Sequence, residues 1–315
     1  MHIAVLGAGI SGLTSAFVLA QAGHRVTVIS ADTVARTTSH LAAAVWFPTA
    51  SGPAEAVARW SATTFDRLAS EAAATVPGVV MRQSMSLYRE DPGAPSWATA
   101  VDELRAARPD ELPPGYSHGL RYVVPLVEMP IYLPWLLARV TDAGAAVVSE
   151  RVESLSELEV FKPDVIVNAA GLAAGALVGD ASTYPVRGQI VRVANPGLTL
   201  SVRDEGHPGG RAYVHPRTTD CILGGTLDVG EWDTSPDLGK TEAILARCAD
   251  IVPELANARP LETIVGLRPG RPEVRLELDT SLLSLPVVHN YGHGGSGITI
   301  GWGCAENVLA IVGQI

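Results

Sequence analysis

The chain has 315 residues, which is long enough for two domains of ordinary size with buried cores. Hydrophobic residues make up 47% and charged residues 18% of a chain with 31 Gly and 22 Pro, which excludes disordered, coiled-coil and collagen-like proteins. The formal net charge of −10 opposes binding to phosphate backbones and to anionic membranes, so neither nucleic acid nor a membrane is expected as a partner.

The first predicted elements form a strand–helix–strand unit. A strand over residues 2–6 leads into a glycine-rich turn, a helix with apolar residues at helical spacing, and a second strand over residues 25–29. The turn carries Gly7, Gly9 and Gly12, the GxGxxG spacing. Glycines let the backbone approach a pyrophosphate while the helix start offers N–H donors, so the unit predicts a dinucleotide site. A tight turn without a ligand would not require all three glycines.

The acid that such a site places on the ribose is less well defined. Ser30 occupies the usual position and Asp32 follows two residues later. Asp32 is therefore either a contact to the adenosine half of the cofactor or a solvated loop acid.

Cysteine usage and the N-terminal residues indicate a cytoplasmic protein. Cys221, Cys248 and Cys304 are odd in number and have no CxxC spacing, which favours reduced thiols over disulfides or a zinc site. The apolar N-terminal segment has no basic start and is interrupted by glycines, so we do not expect a signal peptide.

The middle of the chain departs from a simple doubly wound pattern. An apolar run over residues 41–48 precedes a helical stretch over 53–74, short β-like runs over 81–88 and 121–124, and a helix from Pro134 closed near Gly144. A strand over 145–149 and a buried strand over 164–168 follow, the latter ending at a second glycine turn with Gly171. Ligands bind at such strand ends in open α/β sheets.

The C-terminal third is rich in strands and turns. It contains one amphipathic helix around residues 240–251, a strand over 287–289, and a glycine-rich run that leads into a last helix over about residues 302–312. Dinucleotide-binding elements therefore begin and end the chain, with an inserted domain between them.

Five stretches in this order resemble the D-amino-acid oxidases, a family of flavin amine oxidases that includes D-aspartate oxidase and glycine oxidase. They are residues 7–12, residues 37–39 with 42–46, Asn168-Ala169-Ala170-Gly171 with Arg187-Gly188-Gln189-Ile190, Gly266-Leu267-Arg268-Pro269 with Arg271-Pro272, and residues 289–295 with Gly297 and Thr299. The resemblance implies an α/β fold with a discontinuous Rossmann-type FAD-binding domain and an inserted α+β substrate domain on a mostly antiparallel sheet. We assign residues 1–47, 133–181 and 286–315 to the first domain, and 48–132 and 182–285 to the second.

The resemblance also implies non-covalent FAD. The expected cofactor-binding residues are Gly7, Ala8, Gly9, Ile10, Ser11, Gly12, Asp32, Thr37, Thr38, Ser39, Gly171, Gly294, Gly295, Ser296, Gly297, Ile298 and Thr299. Donors at the start of the last helix would lie where the reduced flavin gathers negative charge.

For the substrate, the resemblance points to Arg268, Tyr213 and Gly295. Arg268 would hold the α-carboxylate bidentately, as a planar guanidinium does and a lysine cannot. The Tyr213 hydroxyl would assist it, and the Gly295 carbonyl would accept from the amine. Arg271 is expected to be structural. His289 and His293 are four residues apart, but they lie in a glycine-rich loop and not on a helix face, so no metal site is expected.

Two departures from the family pattern concern the substrate. Gly209 stands where animal members have a second lid tyrosine, and the lid loop over residues 204–213 is shorter. Leu227 stands where D-aspartate oxidases have an arginine, which favours neutral or hydrophobic side chains, with Arg211 as a partial substitute.

The expected reaction is oxidative deamination of neutral or hydrophobic D-amino acids to 2-oxo acids, ammonia and hydrogen peroxide. It would proceed by hydride transfer from Cα to flavin N5, with dioxygen as the second substrate. The alternatives are a D-aspartate oxidase, a glycine oxidase, a flavin-binding module without turnover, and an NAD-dependent dehydrogenase. A homodimer is left open.

Overall fold

A computed structural model describes residues 1–47, 52–95, 97–101 and 103–315. Within these residues the strands are β1 (His2–Leu6), β2 (Arg25–Ser30), β3 (Val79–Tyr88), β4 (Arg105–Ala106), β5 (His118–Val127), β6 (Ala146–Ser149), β7 (Val165–Asn168), β8 (Tyr184–Ala194), β9 (Ser201–Asp204), β10 (Ala212–Pro216), β11 (Asp220–Gly224), β12 (Asp228–Val229), β13 (Pro260–Gly270), β14 (Arg275–Asp279) and β15 (Val287–Tyr291). The helices are α1 (Ile10–Gln21), α2 (Ala54–Ala73), α3 (Met129–Asp142), α4 (Ala173–Ala176), α5 (Leu238–Ile251) and α6 (Gly297–Val312).

The first sheet has the strand order β14-β15-β7-β1-β2-β6 in the described residues. Its strands pair in parallel from β15 to β6, and β14 pairs antiparallel at one edge. Apolar residues of α1, α3 and α6 cover one face, and residues around Leu155, Leu158 and Leu177 cover the other. Because both faces are covered, β1 and β7 are buried throughout, which explains their continuous apolar sequences.

The second sheet has nine strands in the described part of the chain. They run in the order β12-β8-β11-β10-β9-β3-β5-β4, with β13 on β8. Its pairs are antiparallel except for the parallel pair of β3 and β9. The apolar face of α5 packs on this sheet through Ile244, Cys248 and Ile251. The two sheets confirm the predicted fold class.

The predicted elements differ most from the observed ones at two helix starts and in β5, which was predicted over 121–124 and spans His118–Val127. α3 begins at Met129, five residues before the predicted Pro134, which lies inside the helix. Proline there removes one backbone hydrogen bond and crowds the carbonyl four residues earlier, which is why the sequence suggested a helix start at this position. α6 begins at Gly297 instead of near residue 302. The low helix propensity of Gly297 and Gly301 hid its first turn from the sequence.

The predicted domain boundaries remain a prediction. Strands β1, β2, β6, β7 and β15 of the first sheet fall in the ranges given to the FAD-binding domain. β14 also joins this sheet, although its residues fall in the range given to the substrate domain. Pro48, the first residue of that range and the end of the predicted apolar run, lies outside the described residues. None of the helices in the described part of the chain has the length and apolar character that crossing a bilayer needs.

Candidate active site

The GxGxxG turn connects β1 to α1 and is held tightly against β7. Gly7 has φ +113°, and a Cβ on it would collide with the Ala169 carbonyl at the end of β7. A Cβ on Gly12 would collide with the Gly7 carbonyl, so helix and turn approach closely only because both residues are glycine. The first-turn N–H groups of α1 have no intrahelical acceptor. Apart from that of Ile10, which donates to Ser39 Oγ, they offer donors to an anion at this edge of the sheet.

Three hydroxyl residues follow β2 and close over this turn. Ser39 Oγ accepts from the Ile10 backbone N–H at 3.0 Å, and a Cβ on Gly9 would lie 3.0 Å from the same oxygen. Thr38 Oγ1 donates to the Leu267 carbonyl at 3.1 Å, which ties the segment to β13. Thr37 Oγ1 donates to the Val34 carbonyl at 2.7 Å. The segment thus joins the predicted pyrophosphate site to the strand that carries Arg268.

Asp32 and Gly171 lie at the two strand ends that flank β1. Asp32 is partly exposed, and its carboxylate lies 3.6 Å from Arg36 Nε. Gly171 follows β7 with φ +60°. Both residues line the large cavity described below, so Asp32 is a loop acid in an ion pair that also faces the predicted adenosine side.

The start of α6 faces the same cavity. Gly294, Gly295, Gly297, Ile298 and Thr299 line it, whereas Ser296 is the buried N-cap of the helix. The Thr299 hydroxyl accepts from the Phe47 backbone N–H at 3.2 Å and donates to the Phe47 carbonyl at 3.1 Å. This hydroxyl is therefore committed to holding the segment after Ala44.

A cavity of about 730 Å³ connects all of these parts. It is lined by Gly7 and Ser39 at the glycine turn, by Gly297 at the start of α6, and by Tyr213 and Arg268 of the second sheet. Of the predicted cofactor residues, Gly12 and Ser296 are not in its wall; the others line it. The cavity thus extends from the end of the parallel sheet across to the antiparallel sheet.

Arg268 lies on β13 and its guanidinium lies over β8. A Cβ on Gly188 would collide with this guanidinium, so the glycine provides the space that the charged group occupies. Arg268 Nη1 donates to the Thr226 carbonyl at 3.2 Å, and no described acid forms an ion pair with it. A Cβ on Gly295 would lie 3.4 Å from Arg268 Cδ, which places the predicted amine acceptor beside the predicted carboxylate binder. The guanidinium is free to pair with an anion.

Tyr213 lies on β10 with its ring against two glycines. A Cβ on Gly224 would collide with the ring, and one on Gly225 would lie 2.6 Å from the hydroxyl oxygen. Burial raises the pKa of Tyr213, and the positive charge of Arg268 opposes this shift. The hydroxyl stays protonated near neutral pH and has no hydrogen-bond partner among the described residues. It is therefore available as a donor next to the Arg268 charge.

Arg271 has contacts of a different kind. Its Nε donates to Asp180 Oδ2 at 2.9 Å, and its Nη1 donates to the Glu273 carbonyl at 2.7 Å. The structural role expected for Arg271 accords with these contacts.

Sequence reasoning missed Arg203 and His215. Arg203 lies on β9 opposite Tyr213 in register, is 7% exposed and lines the cavity. Its guanidinium carbon lies 3.8 Å from the centre of the Phe47 ring, and it forms no ion pair with a described acid. The only signal in the sequence is a basic residue in the middle of a short strand, which usually indicates a solvent-facing position.

His215 stacks on Tyr213, with ring centres 4.7 Å apart and an angle of 13° between the planes. Its Nδ1 lies 2.6 Å from Ser201 Oγ, and burial holds the pKa of His215 well below its usual value. The imidazole is therefore neutral, and it supports the tyrosine ring without adding charge.

Leu227 and Arg211, on which the predicted substrate preference depends, have surroundings that differ from the expected ones. Leu227 lines the cavity but is 46% exposed, not buried. Arg211 forms an ion pair with Glu205, with a distance of 3.1 Å between Nε and Oε2. Arg247 donates to the backbone carbonyls of Gly209, Arg211 and Gly225 at 3.4, 2.6 and 2.9 Å, which anchors the short lid loop to α5.

Comparison with known proteins decides the family. The family model described as FAD dependent oxidoreductase matches residues 2–310. The chain belongs to this family. It is 48% identical over 310 residues to a D-amino-acid oxidase of Rubrobacter xylanophilus, covering 98% of this chain and 95% of the relative. It is 37% identical to a human D-aspartate oxidase, covering 99% and 95% of the two chains.

The fold agrees with that of a solved structure. A glycine oxidase from Geobacillus kaustophilus superposes with a TM-score of 0.83 at 21% identity, covering 99% of this chain and 94% of that one. The protein is an FAD-dependent oxidoreductase, which confirms the predicted cofactor and excludes the nicotinamide alternative.

The residues present fit FAD. Gly7 and Gly12 let the turn pack closely against the end of β7 and against α1, and the starts of α1 and α6 both face one continuous cavity. None of the three cysteines is in the described wall of this cavity, in keeping with non-covalent binding.

Proposed function

We propose that the protein oxidises D-amino acids with neutral side chains to the imino acids, which hydrolyse to 2-oxo acids and ammonia, with dioxygen reduced to hydrogen peroxide. The observation that carries this proposal is the half-buried Arg268 guanidinium, which has no acidic partner among the described residues and lies beside a protonated tyrosine in the cavity wall. Partial burial of an unpaired guanidinium costs free energy unless an anionic ligand pairs with it. The α-carboxylate of an amino acid supplies that anion.

Arg268 and Tyr213 provide the grip on the carboxylate. The planar guanidinium has one N–H on the Thr226 carbonyl and further donors for both carboxylate oxygens. The Tyr213 hydroxyl adds a donor, and its raised pKa keeps the proton on the oxygen. Gly188, Gly224 and Gly225 leave these two side chains room to lie side by side.

Gly295 provides the second point of attachment. Its backbone lies next to the Arg268 side chain, and its carbonyl would accept from the substrate amine. With the carboxylate and the amine of the substrate both held, the Cα–H bond has a fixed orientation relative to the start of α6. FAD, when bound, supplies the two-electron acceptor. Alignment of this kind lowers the barrier without a general base, and the neutral His215 is not needed as one.

The side-chain preference rests on the apolar wall of the cavity. Val186, Ile190, Leu227, Val229 and Ile264 line it beside Arg268 and Tyr213. Neutral and hydrophobic substrate side chains are favoured there because burying apolar surface is favourable.

One observation favours a second candidate, the oxidation of acidic D-amino acids. Arg203 is a second buried guanidinium in the cavity wall without an ion-pair partner among the described residues, and it would neutralise a side-chain carboxylate. The similarity to the human D-aspartate oxidase supports this candidate. The exposure of Leu227 weakens the argument that was drawn from this residue against it.

Anaerobic mixing of the holoenzyme with single amino acids tests these proposals. The flavin absorbance near 450 nm is followed with D-alanine, D-methionine, D-aspartate, glycine and the L-enantiomers. Bleaching by D-alanine and D-methionine is expected. Bleaching by D-aspartate alone would transfer the assignment to the second candidate, and bleaching by glycine alone would indicate a glycine oxidase. No bleaching by any of them would overturn the proposal.

The Arg203→Leu variant separates the two candidates. If Arg203 binds a side-chain carboxylate, this variant loses bleaching by D-aspartate and retains bleaching by D-alanine. The Arg268→Ala variant should lose both, because every amino acid has the α-carboxylate.

We also propose that the protein acts in the cytoplasm, because its three buried cysteines are all unpaired thiols.

A further inference from the structure

The loop between β15 and α6 is connected to α1 by a ring of buried hydrogen bonds. His293 Nδ1 lies 3.3 Å from Ser11 Oγ, and His293 Nε2 lies 3.0 Å from Asn290 Oδ1. Asn290 Nδ2 donates to Ser15 Oγ at 3.0 Å, and Ser15 Oγ donates to the Ser11 carbonyl at 2.7 Å. The ring therefore starts and ends on Ser11, in the first turn of α1.

The direction of each bond follows from the donors and acceptors available. The Asn290 carbonyl oxygen can only accept, so His293 Nε2 carries a proton. His293 is 4% exposed, and burial lowers the pKa of His293 to about 4, so the ring is neutral and Nδ1 is bare. The Ser11 hydroxyl must then donate to His293 Nδ1. Its one proton is committed within the protein and is not offered to a ligand.

The loop between β15 and α6 also has backbone hydrogen bonds to the strand that carries Arg268 and to the start of α6. The Gly294 backbone N–H donates to the Pro269 carbonyl at 2.8 Å, next to Arg268, and the Ser296 N–H donates to the His293 carbonyl at 2.9 Å. Ser11, Asn290 and His293 all line the large cavity. The pyrophosphate turn, the start of α6 and the Arg268 strand therefore meet at this one loop.

We propose that His293 is a positioning residue that, through its two opposed hydrogen bonds, sets the distance between the FAD pyrophosphate turn on α1 and the loop that carries Gly294 and Gly295. The proposal rests on the proposed function for the role of Gly295, but its link to FAD binding depends only on the family. Without His293, the loop loses its direct link to the first turn of α1, and FAD binding must supply the ordering of the loop.

A double-mutant cycle on FAD affinity tests the proposal. The dissociation constant of FAD from the full chain is measured by flavin fluorescence for Ser11→Ala, His293→Leu and the double variant. Each single variant should raise it by about tenfold, the scale of one or two buried hydrogen bonds. The double variant should raise it no further than either single one, because both break the same ring.

Additive effects would overturn the proposal, since they would mean that the Ser11 hydroxyl binds FAD directly. His289→Leu is the matched control, because His289 is a fully buried histidine on β15 that does not line the cavity. An equal loss of FAD affinity in this variant would reduce the His293 effect to general packing and overturn the proposal. His293→Asn, which retains an acceptor for Ser11, should recover part of the affinity.

A kinetic readout completes the test. At saturating FAD, His293→Leu should lower the rate of anaerobic flavin reduction at saturating substrate, while the KM effect stays small because Arg268 and Tyr213 are intact. An unchanged reduction rate would show that His293 does not position the loop. Failure of the proposed substrate would leave the FAD cycle interpretable, so the two outcomes are distinguishable.

Discussion

At the scale of single residues, the active site depends on glycines whose lack of a side chain leaves room for Arg268 and Tyr213. Arg268 occupies space that a side chain at residue 188 would fill, and Tyr213 occupies space that side chains at residues 224 and 225 would fill. The glycines bring a guanidinium and a phenol into one wall. The charge of Arg268 then acts on Tyr213, opposing the rise in its pKa.

Replacing Arg268 by alanine should raise KM for D-amino acids by about 30- to several-thousand-fold, since loss of a buried charge contact costs about 2–5 kcal/mol. FAD affinity should stay unchanged, because Arg268 contacts the second sheet and not the glycine turn. Arg268→Lys should give an intermediate KM, because an ammonium keeps the charge and loses the planar fork.

Arg271→Ala is the control for this change, since the Arg271 guanidinium is paired with Asp180. It should lower thermal stability and leave KM within about twofold, well below the shift that losing a buried charge contact causes. Steady-state kinetics with D-alanine measure all three variants. An Arg268→Ala enzyme with wild-type KM would remove Arg268 from the substrate site.

At the scale of elements, α6 connects the cofactor site to the rest of the fold. Its N-terminus faces the cavity, while Gly303 one to two turns later lies against the backbone of Trp60 in α2. The Gly303 N–H also lies 3.0 Å from Thr64 Oγ1, so the two helices are in close contact at this point. The apolar pattern of α6 does not reveal this approach, because a glycine in a helix reads only as a weak helix former.

Gly303→Ala should therefore destabilise the protein by about 1–3 kcal/mol, the usual cost of overpacking, because the added Cβ would meet the Trp60 backbone. Gly313→Ala is the control at the end of the same helix. Its φ is −67° and its Cβ would have contacts no closer than 3.5 Å. Urea unfolding of both variants measures the difference, and equal stability of the two would show that α2 and α6 do not approach as closely as described.

At the scale of the whole molecule, two sheets of different type share one cavity. The parallel sheet supplies the glycine turn and the α6 loop, and the antiparallel sheet supplies Arg268 and Tyr213. Buried neutral histidines lie on both sides of this cavity, with His215 in one sheet and His289 and His293 in and beside β15 of the other. Their neutrality is a property of the folded state, which gives the protein a defined response to acid.

Stability of the holoenzyme should fall as pH is lowered from 7 to 5. Burial lowers the pKa of His289 and of His293 to about 4 and that of His215 well below its usual value. An unfolded histidine titrates near 6.5, so below about pH 6.5 the unfolded chain binds more protons and the free energy of unfolding decreases. Above that pH the contribution is complete and constant.

Thermal unfolding at fixed FAD concentration checks this prediction. His289→Leu should reduce the pH dependence, whereas His118→Gln at an exposed position should retain it. A melting temperature that is the same at pH 7 and pH 5 would contradict the assignment of buried neutral histidines.

Much of this protein can be derived from the sequence, because its decisive signals are local. The strand–turn–helix order around residues 7–12 predicts a dinucleotide site, since its glycine spacing and helix start suit a pyrophosphate, and the family resemblance added that the dinucleotide is FAD. The family resemblance pointed to Arg268 and Tyr213, and the structure places both in one cavity wall. The signal for the parallel strands is also local, because buried parallel strands are continuous apolar runs in the sequence.

Tertiary structure decided what depends on residues far apart in the chain. The sequence offered no sign that Arg203 is buried and unpaired, since a basic residue in a strand gains that environment only from its neighbours in the sheet. The exposure of Leu227 and the ring from Ser11 through His293 to Asn290 likewise depend on chain packing. Burial and hydrogen-bond partners exist only in the assembled fold. Together they determine the charge that each side chain presents to a substrate.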